Sequence, residues 1–194
     1  MIFKKKQLLN TLSDRAQAHL DIVKSRFKNQ GEQELLRFPE TGGWSIAQCL
    51  EHLNSYGDYY LPRIRAVLNI GTESEEADFR SGWLGNYFSN MMEPSEKKYN
   101  AFKGHLPVTN LDPGAVVDKF ISQQLELLDL LRIARTSRLN NRIPISISPL
   151  IRLKSGDVFR FVIAHNERHM QQALRNLKRV QVSDLSPVPE IEQS

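Results

Sequence analysis

The stretch Ala164-His165-Asn166-Glu167-Arg168-His169-Met170-Gln171-Gln172 lies within a run of strong helical period from Gly156 to about Val180. On a helical wheel Val158, Val162, His165, His169 and Ala173 fall within one narrow arc. Residues at i and i+4 stack on one helix face, so the two imidazoles of the pair point at one spot on the core side. A buried neutral imidazole needs a hydrogen-bond partner or a metal, and two on one arc need a partner each. On spacing alone, metal binding and structural burial are balanced.

A third histidine, His52, follows Trp44 in another helical segment. It lies off the main apolar stripe of Leu50, Leu53 and Ile64, on a flank with Ser45, Cys49, Tyr56 and Tyr59. That flank either faces a pocket at the bundle end or is a half-exposed polar face, and on periodicity alone the second reading is preferred. If His52 does join the pair, three neutral nitrogens surround one position and leave a coordination site open, which is the catalytic arrangement. His19 and His105 have no helical partner of metal-ligand type and are assigned to surface or loop.

Working outward, four segments have helical period and length. The first runs from about Lys5 to Asn29, with Leu8, Leu12, Ala16, Leu20 and Val23 on one side. The second starts near Ser45, whose hydroxyl suits an N-cap, and Pro62 predicts a kink or break around Tyr59–Leu61. The third begins at Asp112-Pro113, an N-cap acid followed by proline at the first helical position. The fourth starts around Ser155-Gly156-Asp157 and contains the histidine pair. The segment from Gly71 to Leu111 is too long for a plain loop, and a short helix is expected at about 81–92, capping one end of the bundle. Arg142 to Pro149 alternates, but its prolines limit it to an extended connector or an edge strand. The expected fold is all-α: one domain over 1–182, a four-helix bundle of antiparallel helices with a long, partly helical connection between the second and third. Residues 183–194 read as a flexible tail.

Composition narrows the functional classes. Hydrophobic residues make up 40% and charged residues 25%, an ordinary balance for a soluble globular protein. The net charge of +4 comes from 26 basic and 22 acidic residues, without the dense basic stripe and stacking aromatics of a nucleic-acid binder. One cysteine, Cys49, excludes an intrachain disulfide. There is no signal-peptide core or membrane-length apolar run, so a cytoplasmic protein is expected. Two protease chemistries are excluded. The residue after His165 is Asn166, where a zincin needs its general base, and Glu167 points away from the pair; the inverted motif needs glutamate where Arg168 stands.

The combination Trp44-Ser-Ile-Ala-Gln48-Cys-Leu-Glu-His52-Leu, then Gly82-Trp-Leu-Gly-Asn-Tyr-Phe, then Ala164-His165-Asn-Glu-Arg168-His169-Met-Gln171-Gln172 resembles the DinB-like superfamily. The resemblance covers most of the chain. It implies a four-helix bundle with one divalent metal (zinc, nickel or iron) held by His52, His165 and His169. It also implies a thiol S-transferase or related reaction on a small-molecule substrate, a low-molecular-weight thiol as cofactor, and a homodimer. Hydrolysis and a non-catalytic metal-binding or interaction module stand as alternatives.

Several residues are candidate supports or substrate contacts: Gln48, Tyr56, Gln124, Arg168 and Gln172. Gln124 sits mid-stripe between Ile121 and Leu128, so it either supports a ligand or is a satisfied core amide. Arg168 either binds an anionic substrate or forms a surface ion pair. Cys49 reads as a buried thiol rather than a nucleophile, and Trp44 and Trp83 read as core anchors.

Overall fold

The computed structural model describes residues 1–40, 42–70, 74, 76–95 and 103–183. Strand β1 (Ile2–Lys4) leads into α1 (Lys5–Ile22), which continues as a π-helical turn over Val23–Phe27. There follow α2 (Glu32–Leu36), α3 (Ile46–Asn69), β2 (Asp78–Arg80), α4 (Trp83–Met92), a 3-10 turn (Lys103–His105), α5 (Pro113–Ala134), β3 (Arg142–Ile145), β4 (Ser148–Lys154) and α6 (Ser155–Ser183). The four long helices α1, α3, α5 and α6 form the expected bundle. Residues 184–194, most of the expected tail, lie outside the described residues, as do 71–73, 75 and 96–102 of the connector.

Capping chemistry sets the starts of two bundle helices. At α3 the Ser45 hydroxyl accepts from the Gln48 amide while the Gln48 side chain accepts from the Ser45 amide, a reciprocal capping box. At α5 the Asp112 carboxylate accepts from the Ala115 amide ahead of Pro113. Of the kink or break expected at Pro62, the break does not occur: α3 runs on through the proline. Buried Tyr60, Leu61 and Ile64 on both sides of the proline hold the helix together.

Helix α1 packs against α5 and α6, and α3 packs against the same two, so α1 and α3 lie across the bundle from each other. The helices are not all antiparallel. Along α3, Asp58 pairs with Lys119 and Arg65 with Glu126, so α3 and α5 run parallel. Gly57 leaves room for the Gln123 carboxamide, whose Oε1 would lie 2.0 Å from a Cβ there. Parallel neighbours need a connection that travels the length of the bundle, which explains the long segment between them.

Part of that connection is α4, as expected, but it lies along α6 instead of capping an end. Gly82 bonds Asp157, Asn86 bonds Arg160, and the Glu93 carbonyl accepts from Arg168, so α4 and α6 run side by side in one direction. Two small ribbons went unforeseen or half-seen. Strand β1 pairs antiparallel with β2, and the expected extended segment is the first half of a β3–β4 hairpin. The apolar core divides into two clusters, one around Tyr60, Leu130 and Phe159, the other around Phe27, Leu50 and Phe120.

Candidate metal centre

His52 from the second turn of α3 meets His165 and His169 from α6, and the ligand nitrogens of all three lie within 4.8 Å of one another. The packing of α3 against α6 makes this possible, since the i, i+4 pair on α6 faces the flank of α3 that carries His52. His52 and His165 are buried and His169 is partly buried.

Hydrogen bonds fix which nitrogen is free in two of the three rings. His52 Nδ1 is 2.6 Å from the His105 carbonyl oxygen, which only accepts, so Nδ1 carries the proton and Nε2 keeps its lone pair. His169 Nδ1 donates to Gln172 Oε1 at 3.0 Å, with the same consequence. Nε2 of His165 lies 3.1 Å from Nε2 of His52, and its own Nδ1 is buried with no partner among the described residues. Two nitrogens, each about 2.0–2.1 Å from a tetrahedral cation, are themselves roughly 3.3 Å apart, close to this spacing. The donor set, and the carbonyl and carboxamide that orient two of the rings, therefore fit a divalent cation.

Burial keeps the imidazoles neutral, the state in which they can be ligands. It lowers His52 to about 4 and His169 to about 3, and drives His165 well below the usual histidine range. Neighbouring rings enclose the cluster. Trp44 stacks on His169 with centroids 5.5 Å apart, Tyr56 meets His165 edge-on at 4.4 Å, and Phe161 stacks on His165 at 5.8 Å. Burial raises the Tyr56 phenol to about 12, so it stays protonated.

The remaining candidate residues separate by contact. Gln172 and Tyr56 touch the histidines directly. Gln48 is the capping partner of Ser45, and buried Gln124 accepts from Asn166 Nδ2 at 3.5 Å as a core amide. Arg168 binds the Glu93 carbonyl and the Ser95 hydroxyl. Cys49 sits in the second core cluster, and burial pushes its thiol up to about 12.

Three expectations need correction. His19 is not a surface residue: it is 1% exposed, and its Nε2 lies 2.7 Å from Glu167. That bond holds the Glu167 carboxyl down to about 2, away from the histidine cluster. Trp83 is 81% exposed, not a core anchor. Trp44 is half-buried against the imidazoles, so it is a wall of the site as well as a packing residue. The role of His105, assigned to surface or loop, was not visible in the sequence pattern. Its backbone carbonyl orients His52, and its ring stacks on Tyr56 at 3.9 Å and meets the Ser55 hydroxyl. A contact made through the backbone leaves no mark in side-chain pattern.

Among the described residues no helix is long and apolar enough to cross a membrane. No protein of curated function matches the chain. In fold it is similar to YfiT from Bacillus subtilis, described as a probable metal-dependent hydrolase with an unusual four-helix bundle topology. The TM-score is 0.53 at 13% identity, covering 91% of this chain and 87% of that one. Residues 15–173 match the DinB superfamily, and the chain belongs to that superfamily.

Proposed function

We propose that this protein is a divalent-metal-dependent enzyme that activates a water or a low-molecular-weight thiol for attack on a small electrophilic substrate. His52, His165 and His169 would hold the ion. The observation that carries the reading is the convergence of their nitrogens, with two lone pairs fixed by the His105 carbonyl and Gln172. A cation bound there would supply Lewis acidity, lowering the pKa of a coordinated water or thiol toward neutrality. The chain's own part is to keep the imidazoles neutral and oriented and to surround them with Trp44, Tyr56 and Phe161.

Thiol transfer is the form that the family resemblance favours, and the likeness to YfiT supports hydrolysis. A non-catalytic metal-binding module would be favoured by a fourth protein ligand such as Cys49. That thiol is packed among Leu50, Leu53 and Phe120 and is not one of the clustered donors. A homodimer remains part of the proposal, and sedimentation equilibrium tests it.

The purified protein, loaded separately with zinc, nickel or iron(II), is assayed with a panel of cellular thiols against a generic aromatic electrophile, and with a panel of esters and amides. The expected result is a metal-dependent rate on one panel that chelation removes. No metal-dependent rate on either panel contradicts the reading.

A further inference from the structure

Away from the histidines, a recess of about 230 Å³ opens between the start of α4 and the outer face of the β3–β4 hairpin. Side chains alternate along a strand, so Arg152 and Lys154 share one face of β4, and the register places Arg142 directly opposite Lys154. All three line the recess. Like charges directly across a ribbon repel. Neither guanidinium has an ion-pair or hydrogen-bond partner among the described residues, and Lys154 Nζ, 5.9 Å from the centre of the Phe79 ring, donates to the Arg80 carbonyl at 2.7 Å and has no carboxylate partner among them. The one acid in the lining, Asp157, is fully buried and already engaged by Ser81, the Gly82 amide and Arg160. The charge in the recess is therefore uncompensated and positive.

Trp83 forms part of the same lining, is 81% exposed, and is stacked on Tyr87. An exposed indole beside unpaired guanidinium groups offers a stacking surface and an anion site together. The volume falls below the range that encloses a whole drug-sized ligand, so it suits an anionic head group. Three cations favour a dianion, and the forked arginine donors match phosphate oxygens.

We propose that this recess binds the phosphate of a small organic phosphate, whose planar group rests on Trp83, as in a nucleoside monophosphate. The site uses none of the histidine cluster and does not depend on the reading of that cluster.

Calorimetric titration of the full-length protein with adenosine monophosphate, adenosine and inorganic phosphate tests this. The monophosphate should bind saturably and more tightly than phosphate, with adenosine weakest. Arg142→Ala/Arg152→Ala should weaken it by at least about tenfold. Trp83→Ala should bring it down to the affinity of inorganic phosphate. Both variants replace exposed side chains and should retain the wild-type melting temperature and metal content. The proposal is overturned if the monophosphate binds no better than phosphate, or if its binding survives loss of both arginines. Tighter binding of a short single-stranded oligonucleotide would overturn the small-molecule assignment in favour of nucleic acid.

Discussion

Nε2 of His52 lies 3.1 Å from Nε2 of His165, although the two residues belong to different helices. His52 carries its proton on Nδ1, so without a cation His165 must place its own proton on Nε2 and leave its buried Nδ1 a bare acceptor. With a cation between the rings, both Nε2 lone pairs are used. The proton of His165 then sits on Nδ1, so taking up an ion switches the tautomer of that ring.

Gln172→Ala should weaken metal binding by roughly 10–100-fold while the fold persists, because the carboxamide fixes the His169 ring and its tautomer. Competition with a chromophoric chelator measures it. An unchanged affinity would mean that His169 is oriented by packing alone.

His19→Ala should lower unfolding free energy by about 1–3 kcal/mol, since it removes the hydrogen bond of a buried imidazole to the half-buried Glu167 carboxylate. Metal stoichiometry should stay unchanged, because that bond lies on another face of α6. Denaturant titration with and without metal separates the two effects, and loss of metal would contradict the separation.

Asp157→Ala should cost roughly 3 kcal/mol, because the buried carboxylate ties Ser81 and Gly82 to Arg160 and so fastens α4 to α6. Gly85→Ala should also destabilise, by about 1–3 kcal/mol, since the new Cβ would lie 2.2 Å from the Asp157 side chain. Wild-type melting temperatures for both variants would show that α4 is not anchored there.

Cys49 should resist alkylation in the native protein at pH 8 and react only on unfolding. Its thiol is fully buried, and desolvation pushes it up to about 12, so the thiolate is scarce even before access is considered. Rapid native labelling, followed by mass spectrometry, would contradict this placement.

The bundle helices were legible because each has one apolar stripe, and two of them start at the expected caps, Ser45 and Asp112, whereas Ser155 is the first residue of α6 and its buried hydroxyl has no partner among the described residues. Their relative directions were not legible. Periodicity reports which face of a helix is buried, whereas the parallel packing of α3 and α5 depends on cross-helix pairs such as Arg65 with Glu126. The strands were missed because β1 and β2 have only three residues each, too few to show alternation. At the centre, the i, i+4 spacing singled out His165 and His169, and the family resemblance added His52, which periodicity alone placed on a half-exposed polar face and which the structure buries in the cluster. The burial of His19 was hidden because its partner, Glu167, comes from a helix distant in sequence.

The most direct test of the account is elemental analysis of the purified protein and of five alanine variants, together with the rise in melting temperature on adding metal. One divalent ion per chain is expected. Replacing His52, His165 or His169 should each abolish most of the bound metal and of the thermal increment. His19→Ala and His105→Ala should keep both, since His105 acts on His52 through its backbone carbonyl, which alanine retains. Stoichiometric metal that survives the loss of His52 would contradict the three-histidine centre.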